Sequence, residues 1–406
     1  EVVGASGVDI FIGEGPLSLE DGNVNALARG FKLSDATFGL VKFTDAGVES
    51  YALQATGAIE VIGIDRLTLG GNVTLRFSSF QEAIDETIST GDSSVQVSMN
   101  ASETASISGS SFFEIAGMDL VLEVAGQALT ANVNISRYRS GERDIFRASL
   151  IDGSTSFSNG GDNLLTLSDL NGDLFLFDDG LALQASGDLL FGVASVSASG
   201  SYRLQINTTG KAIAETYSVG SASRSVSIPE GPFVRIAGIG TELSILDQTV
   251  SGNFYFEQNT NGEVIASATE VEANFGDGAL QLINGEGIIS INAAGLAASM
   301  RGGISLNVPD VAISADLDLK INTRAVAVNE TVELNGVEKA LHIRAGPTFA
   351  LEATQIAVEI AGQTLTADLF IEQTNTGLTS LSFSNANLNI NADGRTLASI
   401  TNATGG

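Results

Sequence analysis

Ser199-Gly200-Ser201-Tyr202-Arg203-Leu204-Gln205-Ile206-Asn207-Thr208-Thr209-Gly210-Lys211-Ala212-Ile213-Ala214 is matched, 52 positions later, by Ser251-Gly252-Asn253-Phe254-Tyr255-Phe256-Glu257-Gln258-Asn259-Thr260-Asn261-Gly262-Glu263-Val264-Ile265-Ala266. Each run reads as a strand, an Asn-Thr-x-Gly turn and a second strand. Tyr202, Leu204 and Ile206 alternate with Arg203 and Gln205, the period of a strand with one buried and one wet face. The same frame starts at 71, 131, 200, 252, 315 and 367, and the alternation returns at Val73, Leu75 and Phe77 and at Leu317, Leu319 and Ile321.

The copies pair into a longer period. Odd copies share a second strand, seen at Ala83-Ile84-Asp85-Glu86-Thr87, Ala212-Ile213-Ala214-Glu215-Thr216 and Ala327-Val328-Asn329-Glu330-Thr331. Even copies follow a matched run containing Gln127, Gln248 or Gln363, which are 121 and 115 positions apart. A period of that length, repeated about three times, is the signature of a modular array. The expected fold is all-β: tandem antiparallel β-hairpins forming an elongated rod or solenoid-like array, with a string of β-sandwich domains as the alternative. The expected division is a partial first unit over 1–70, then units over 71–199, 200–314 and an incomplete 315–406. Asp21-Gly22, Asp152-Gly153, Asn171-Gly172, Asn261-Gly262, Asn284-Gly285 and similar pairs read as tight turns, because both residues accept positive φ. No stretch has helical period, so very little helix is expected.

Composition narrows the function classes. In 406 residues, 48 Asp and Glu against 19 Lys and Arg give a formal charge of −29. Nucleic acid and anionic lipid both require clustered cations, so neither is an expected partner. Cysteine and tryptophan are absent, which removes disulfides, thiolate chemistry and Cys-based zinc sites. No uncharged apolar run is long enough for a membrane-spanning helix. The chain opens at Glu1 without a basic-then-apolar leader, as expected of a processed or excised piece of something longer.

The candidate chemistry is sparse. One histidine, His342, lacks the other members of a triad or His-based metal site. Glu86, Glu215 and Glu330 recur at one position of the odd copies, as strand-edge carboxylates do, and an enzyme rarely repeats its catalytic acid along a rod. Calcium is the one cofactor the residues suggest. Asp169, Asn171 and Asp173 form the best cluster, followed by Asp178 with Asp179 and by Asp277 beside glycines, since hard oxygen ligands on a sharp bend suit that ion. Plain hairpin turns account for the same residues. Tyr255 and Phe370 stand 115 positions apart on the nominally wet face, as a lateral contact or glycan platform would, or as part of a second buried face. The first even copy has Asn134 there.

Gly15-Pro16, Asp21-Gly22-Asn23, Ala36-Thr37-Phe38-Gly39-Leu40-Val41-Lys42, Tyr51-Ala52-Leu53, Gly63-Ile64-Asp65 and Leu67-Thr68-Leu69-Gly70-Gly71, with the later Asn-Thr-x-Gly, Ile-Ala-Gly and Gly-Gln-Thr-Leu segments, resemble repeat modules of very large acidic surface or secreted proteins of marine and other Gram-negative bacteria. That resemblance covers most of the chain. It implies an extracellular adhesin-like, sheath or fibre role, often beside calcium-binding repeats, and no defined activity. The expected protein is therefore a non-enzymatic structural repeat protein at the cell surface that self-associates end to end or lies in tandem, with calcium or glycan binding as the alternative. The polar stretch Ile88–Ser94 departs from the repeat style and reads as a longer loop that unsettles the register of the first unit.

Overall fold

The computed structural model describes residues 1–45, 47–80, 82–91, 93–105, 111–140, 143–177, 179–219, 222–258, 262–275, 280–306, 311–334, 337–360, 363–373, 379–392 and 395–406. These residues are almost entirely β, as the alternation requires. Three strands open the chain: β1 (Val2–Glu14), β2 (Arg29–Asp45) and β3 (Val48–Ile62). A first module follows with β4 (Leu67–Gly70), β5 (Asn72–Ser78), β6 (Ile84–Ser89), β7 (Ser94–Met99), a short helix α1 (Ala101–Ala105), β8 (Phe112–Val124), β9 (Gln127–Ser140), β10 (Arg143–Asn159), β11 (Asp162–Phe177) and β12 (Gly180–Phe191). The second comprises β13 (Val196–Ser199), β14 (Tyr202–Asn207), β15 (Ile213–Val219), β16 (Ala222–Ile228), β17 (Phe233–Ile245), β18 (Gln248–Gln258), β19 (Val264–Phe275), β20 (Leu280–Asn292) and β21 (Gly295–Leu306). The third has β22 (Val311–Ser314), β23 (Asp316–Asn322), β24 (Val328–Leu334), β25 (Val337–Ile343), β26 (Thr348–Ile360), β27 (Gln363–Gln373), β28 (Thr379–Ala392) and β29 (Arg395–Gly405). No helix among the described residues is long and apolar enough to cross a membrane.

The contacts divide the chain into two compact units. One contains Glu1–Thr155, Ser168–Gly187 and Leu204–Val234, the other Ser156–Leu167, Asp188–Arg203 and Arg235–Gly406. In the first, β1, β2, β3, β5, β8, β9 and β10 pair antiparallel in that order, with β4 continuing the line of β5 against β8. In the second, β17 to β21, then β23, β26, β27, β28 and β29 pair in succession, with β13 on β17 and β22 on β26. The repeat is carried by register. Tyr255 faces Ala237 and Ser267, and Phe370, 115 positions on, faces Glu352 and Ser382.

Three two-stranded hairpins stand apart from these ladders: β6–β7, β15–β16 and β24–β25. A lone hairpin is marginal in water, and each of these is held by burying one face on long strands. Ile84, Ile88, Val97 and Met99 pack on Val41 and Ala52; Ile213, Tyr217, Val226 and Ile228 pack on Ile145, Phe175 and Ala182; Val328, Leu341 and Ile343 pack on Ile265, Ile288 and Ala297. At roughly 1.5–3 kcal/mol per large apolar side chain buried, this cover is the main source of hairpin stability. The odd copies thus differ from the sequence expectation. Their two strands do not pair with each other; the first lies in the long ladder and the second in the covering hairpin. The even copies are true hairpins, β9–β10, β18–β19 and β27–β28.

The corner between ladder and hairpin depends on one buried side chain. Asn207 and Asn322 are both 0% exposed. The Asn207 amide donates to the carbonyls of Lys211 and Pro229 at 2.8 and 2.7 Å, and its oxygen accepts the Thr209 amide at 2.9 Å. Asn322 does the same with Val326, Arg344 and the Arg324 amide at 2.9, 2.7 and 2.9 Å. The returning chain passes so close that a Cβ at Gly231 would stand 2.4 Å from the Asn207 carbonyl oxygen, and one at Gly346 2.0 Å from that of Asn322. The first module uses buried Ser78, whose hydroxyl bonds Phe80.

A second repeating device bends the long strands. Asp119, Gly240 and Gln355 take positive φ within β8, β17 and β26, where the register with the next strand slips. Their amides donate to Asn132, Asn253 and Asp368 at 3.1, 2.9 and 2.8 Å. Each is a β-bulge with its stray N–H satisfied across the ladder. Asp152-Gly153, Asn171-Gly172 and Asn284-Gly285, read as turns in the sequence, lie inside β10, β11 and β20; Asp152 and Asn284 are themselves at positive φ. Tolerance of the left-handed region serves bulges as well as turns. The polar stretch Ile88–Ser94 spans a short β6–β7 connection with Ser89 opposite Ser94. The extra length of the first module lies instead between β7 and β8, where α1 sits.

Removing the corner amide leaves a buried N–H and two partly buried carbonyl contacts without their partner. Asn207→Ala and Asn322→Ala should each cost roughly 2–4 kcal/mol, read as a lower urea midpoint for loss of β-sheet ellipticity. A loss below about 0.5 kcal/mol, the range of ordinary surface changes, would show that the corner does not depend on the clamp.

Candidate functional site

The recurring Glu positions have diverged. Glu86 is exposed, Glu215 is buried, and Glu330 is half-buried in an ion-pair network. In that network the Arg324 guanidinium is 4% exposed and fully engaged: it donates to Glu330 at 3.0 Å, to the Gly295 carbonyl at 3.3 Å, and to the Ser290 carbonyl and hydroxyl at 3.0 and 2.6 Å. Arg76 holds Glu103 at 3.0 Å and pairs closely with Glu114. Burial works against the Arg76 charge, but the hydrogen bonds to Glu114 and Glu103 outweigh it and raise its pKa. These arginines are structural pins.

Asp173 belongs to a third pin. It is 4% exposed, accepts the Tyr217 hydroxyl and lies 3.7 Å from Arg147 Nε, while the Arg147 guanidinium stacks 4.7 Å from the Tyr217 ring centroid. Asp169 and Asn171 are exposed on the same strand; Asp169 has positive φ, and Asn171 donates to its carbonyl at 2.7 Å and accepts the Asp152 amide at 3.4 Å. Asp169 and Asn171 are therefore neighbours, whereas the Asp173 carboxylate is engaged in the buried network. Asp179 is exposed and ion-paired with Lys211 at 2.7 Å. Asp178 and Asp277 lie outside the described residues. Among the described residues, no three His, Asp or Glu side chains are grouped to hold a metal ion. His342 is exposed, with Nδ1 3.3 Å from Asn329 Oδ1.

Tyr255 and Phe370 are half-buried, and an arginine covers each ring: Arg235 at 5.3 Å and Arg344 at 4.0 Å from the centroids. A guanidinium over an aromatic face is attractive and partly occupies that face. Asn134, at the equivalent place in β9, instead donates to Glu114 at 2.6 Å.

The sequence did not reveal a cavity of about 730 Å³ in the first compact unit. Its apolar wall is aromatic. Phe31 of β2, Phe113 of β8 and Phe146 of β10 meet with centroids 5.5 to 6.4 Å apart, two of the three contacts edge-to-face. Phe77 and Phe177 extend that wall. Gly13 and Gly30 face each other across β1 and β2 at the lining, so neither contributes a side chain to fill the space. Arg29, Arg66 and Arg137 also line it. These residues come from five or more strands, and no local motif joins them; the only sequence signal is that cations are scarce overall and three of them converge here.

No protein-family model, curated protein or solved structure matches the chain.

Burial, then the bond to Asp173, push the Tyr217 hydroxyl up to about 12. The neutral form is thus favoured by the fold: its contribution is complete below the ordinary value of 10.0 and is lost as pH rises toward 12. In an absorbance titration, one of the five tyrosines should ionise near 12 as the fold is lost, and Tyr217→Phe should remove that step. An unchanged titration curve in the variant would contradict the assignment.

Proposed function

We propose that the chain is a non-enzymatic structural repeat protein of an extracellular surface, a building block of a fibre, filament or giant adhesin that associates end to end through its strand edges. The observation that carries this reading is the repetition itself. The corner, the covering hairpin and the bulged long strands recur with 115-position spacing from Asn207 to Asn322 and from Gly240 to Gln355. Selection for one reaction centre gives no reason to keep these devices in register three times, whereas a load-bearing or spacing role does.

β29 supplies the means of association. It pairs with β28 and, among the described residues, with no other strand, and Leu397 and Ile400 on it are 69% and 47% exposed. An unpaired, partly apolar edge is a template for a further strand, whether of a second molecule or of a continuing chain. The charge of −29 favours solubility and disfavours collapse onto nucleic acid or anionic lipid.

Small-angle scattering across a concentration series tests this. Rod-like particles should lengthen with concentration at constant cross-section, and Leu397→Lys with Ile400→Lys should leave single chains. A compact particle whose size is independent of concentration, in wild type and variant alike, would overturn the reading.

A further inference from the structure

We infer that the aromatic cavity of the first compact unit is a binding site for a monoanionic amphiphile, an apolar body with a carboxylate or similar head. The inference is independent of the fibre reading. A volume of about 730 Å³ falls within the range of small-molecule sites. Phe31, Phe113 and Phe146 offer only hydrocarbon, and Thr208 is the one neutral polar side chain in the lining. A group lying on the phenylalanines finds no hydrogen-bond partner there, which suits an alkyl or aryl body better than a hydroxylated one.

The head is specified by charge. Glu14, Asp65 and Asp179 share the lining with the three arginines, but Lys211 neutralises Asp179 at 2.7 Å. With Lys211 counted, four cations stand against three carboxylates at and beside the lining, one net positive charge. Arg29 has another contact within the chain. Arg66 is exposed, Arg137 is half-buried, and neither has an ion-pair partner among the described residues, although acids outnumber bases 48 to 19. Two arginines in the lining of an apolar cavity, one exposed and one half-buried, suit a planar anionic head, which guanidinium groups bind by charge-assisted hydrogen bonds. The body then lies against the phenylalanines.

Calorimetric titration of the full chain with decanoate, decanol and decyltrimethylammonium tests the site. Decanoate should bind one per chain, and decanol about tenfold or more weaker, the loss of charge-assisted bonds to the head. The alkylammonium should bind more weakly still. Arg66→Ala with Arg137→Ala removes two side chains that make no ion pair among the described residues; with circular dichroism confirming a retained fold, decanoate affinity should fall to that of decanol. Arg301→Ala, at an exposed ion pair of the other unit, should leave binding unaltered. The proposal is overturned by no decanoate heat, by equal affinity for acid and alcohol in the wild type, or by an equal loss in the Arg301 variant.

Discussion

A buried asparagine amide that holds two strands of chain at a corner is the constraint from which the rest of this structure follows. Asn207 and Asn322 each satisfy two carbonyls and one N–H where the backbone leaves the long ladder and turns into a covering hairpin. Without such a partner the N–H would be buried unpaired, at a cost of about 1–3 kcal/mol, and two partly buried carbonyls would lose their bonds. An amide has the two donors and the acceptor the corner needs. Ser78 serves with a hydroxyl, which offers fewer bonds, and the return path in that module is longer and includes α1.

The other devices complement the corner. The hairpins cannot stand alone, so the corner is useful only because Ile84, Ile213 and Val328 land on a prepared apolar face. Arg147, through the Tyr217 ring, and Arg324, through Glu330, then fix two of the covers laterally, and Arg76 ties β5 to α1 and β8. The bulges at Asp119, Gly240 and Gln355 increase local twist in the long strands. Each solution spends a polar side chain on the backbone, which explains why so many Asn and Asp residues that could bind ions are already engaged.

Much of this was legible in the sequence. The period-two alternation of Tyr202, Leu204 and Ile206 gave the strand, and Gln248 to Gln363 gave the module length that the register of Tyr255 and Phe370 reproduces. The odd and even copies were told apart by their flanking residues, but their different pairing was not, because Asn-Thr-x-Gly suits a corner and a hairpin turn equally. Asp152-Gly153 was misread for the same reason: local dihedral tolerance does not say whether the chain reverses or merely bulges. Asp173 looked like an ion ligand because its partners, Arg147 and Tyr217, are 26 and 44 positions away. The cavity was invisible since Phe31, Phe113 and Phe146 come from β2, β8 and β10, which are not neighbours in the ladder.

Amide hydrogen exchange, resolved along the chain, tests the central claim most directly. The Thr209 and Arg324 amides, bonded to buried asparagine oxygens, should exchange as slowly as the ladder strands around them, and the cross-strand-bonded amides of β15–β16 and β24–β25 should be protected. Corner amides that exchange as fast as those of the exposed β29 edge would contradict it.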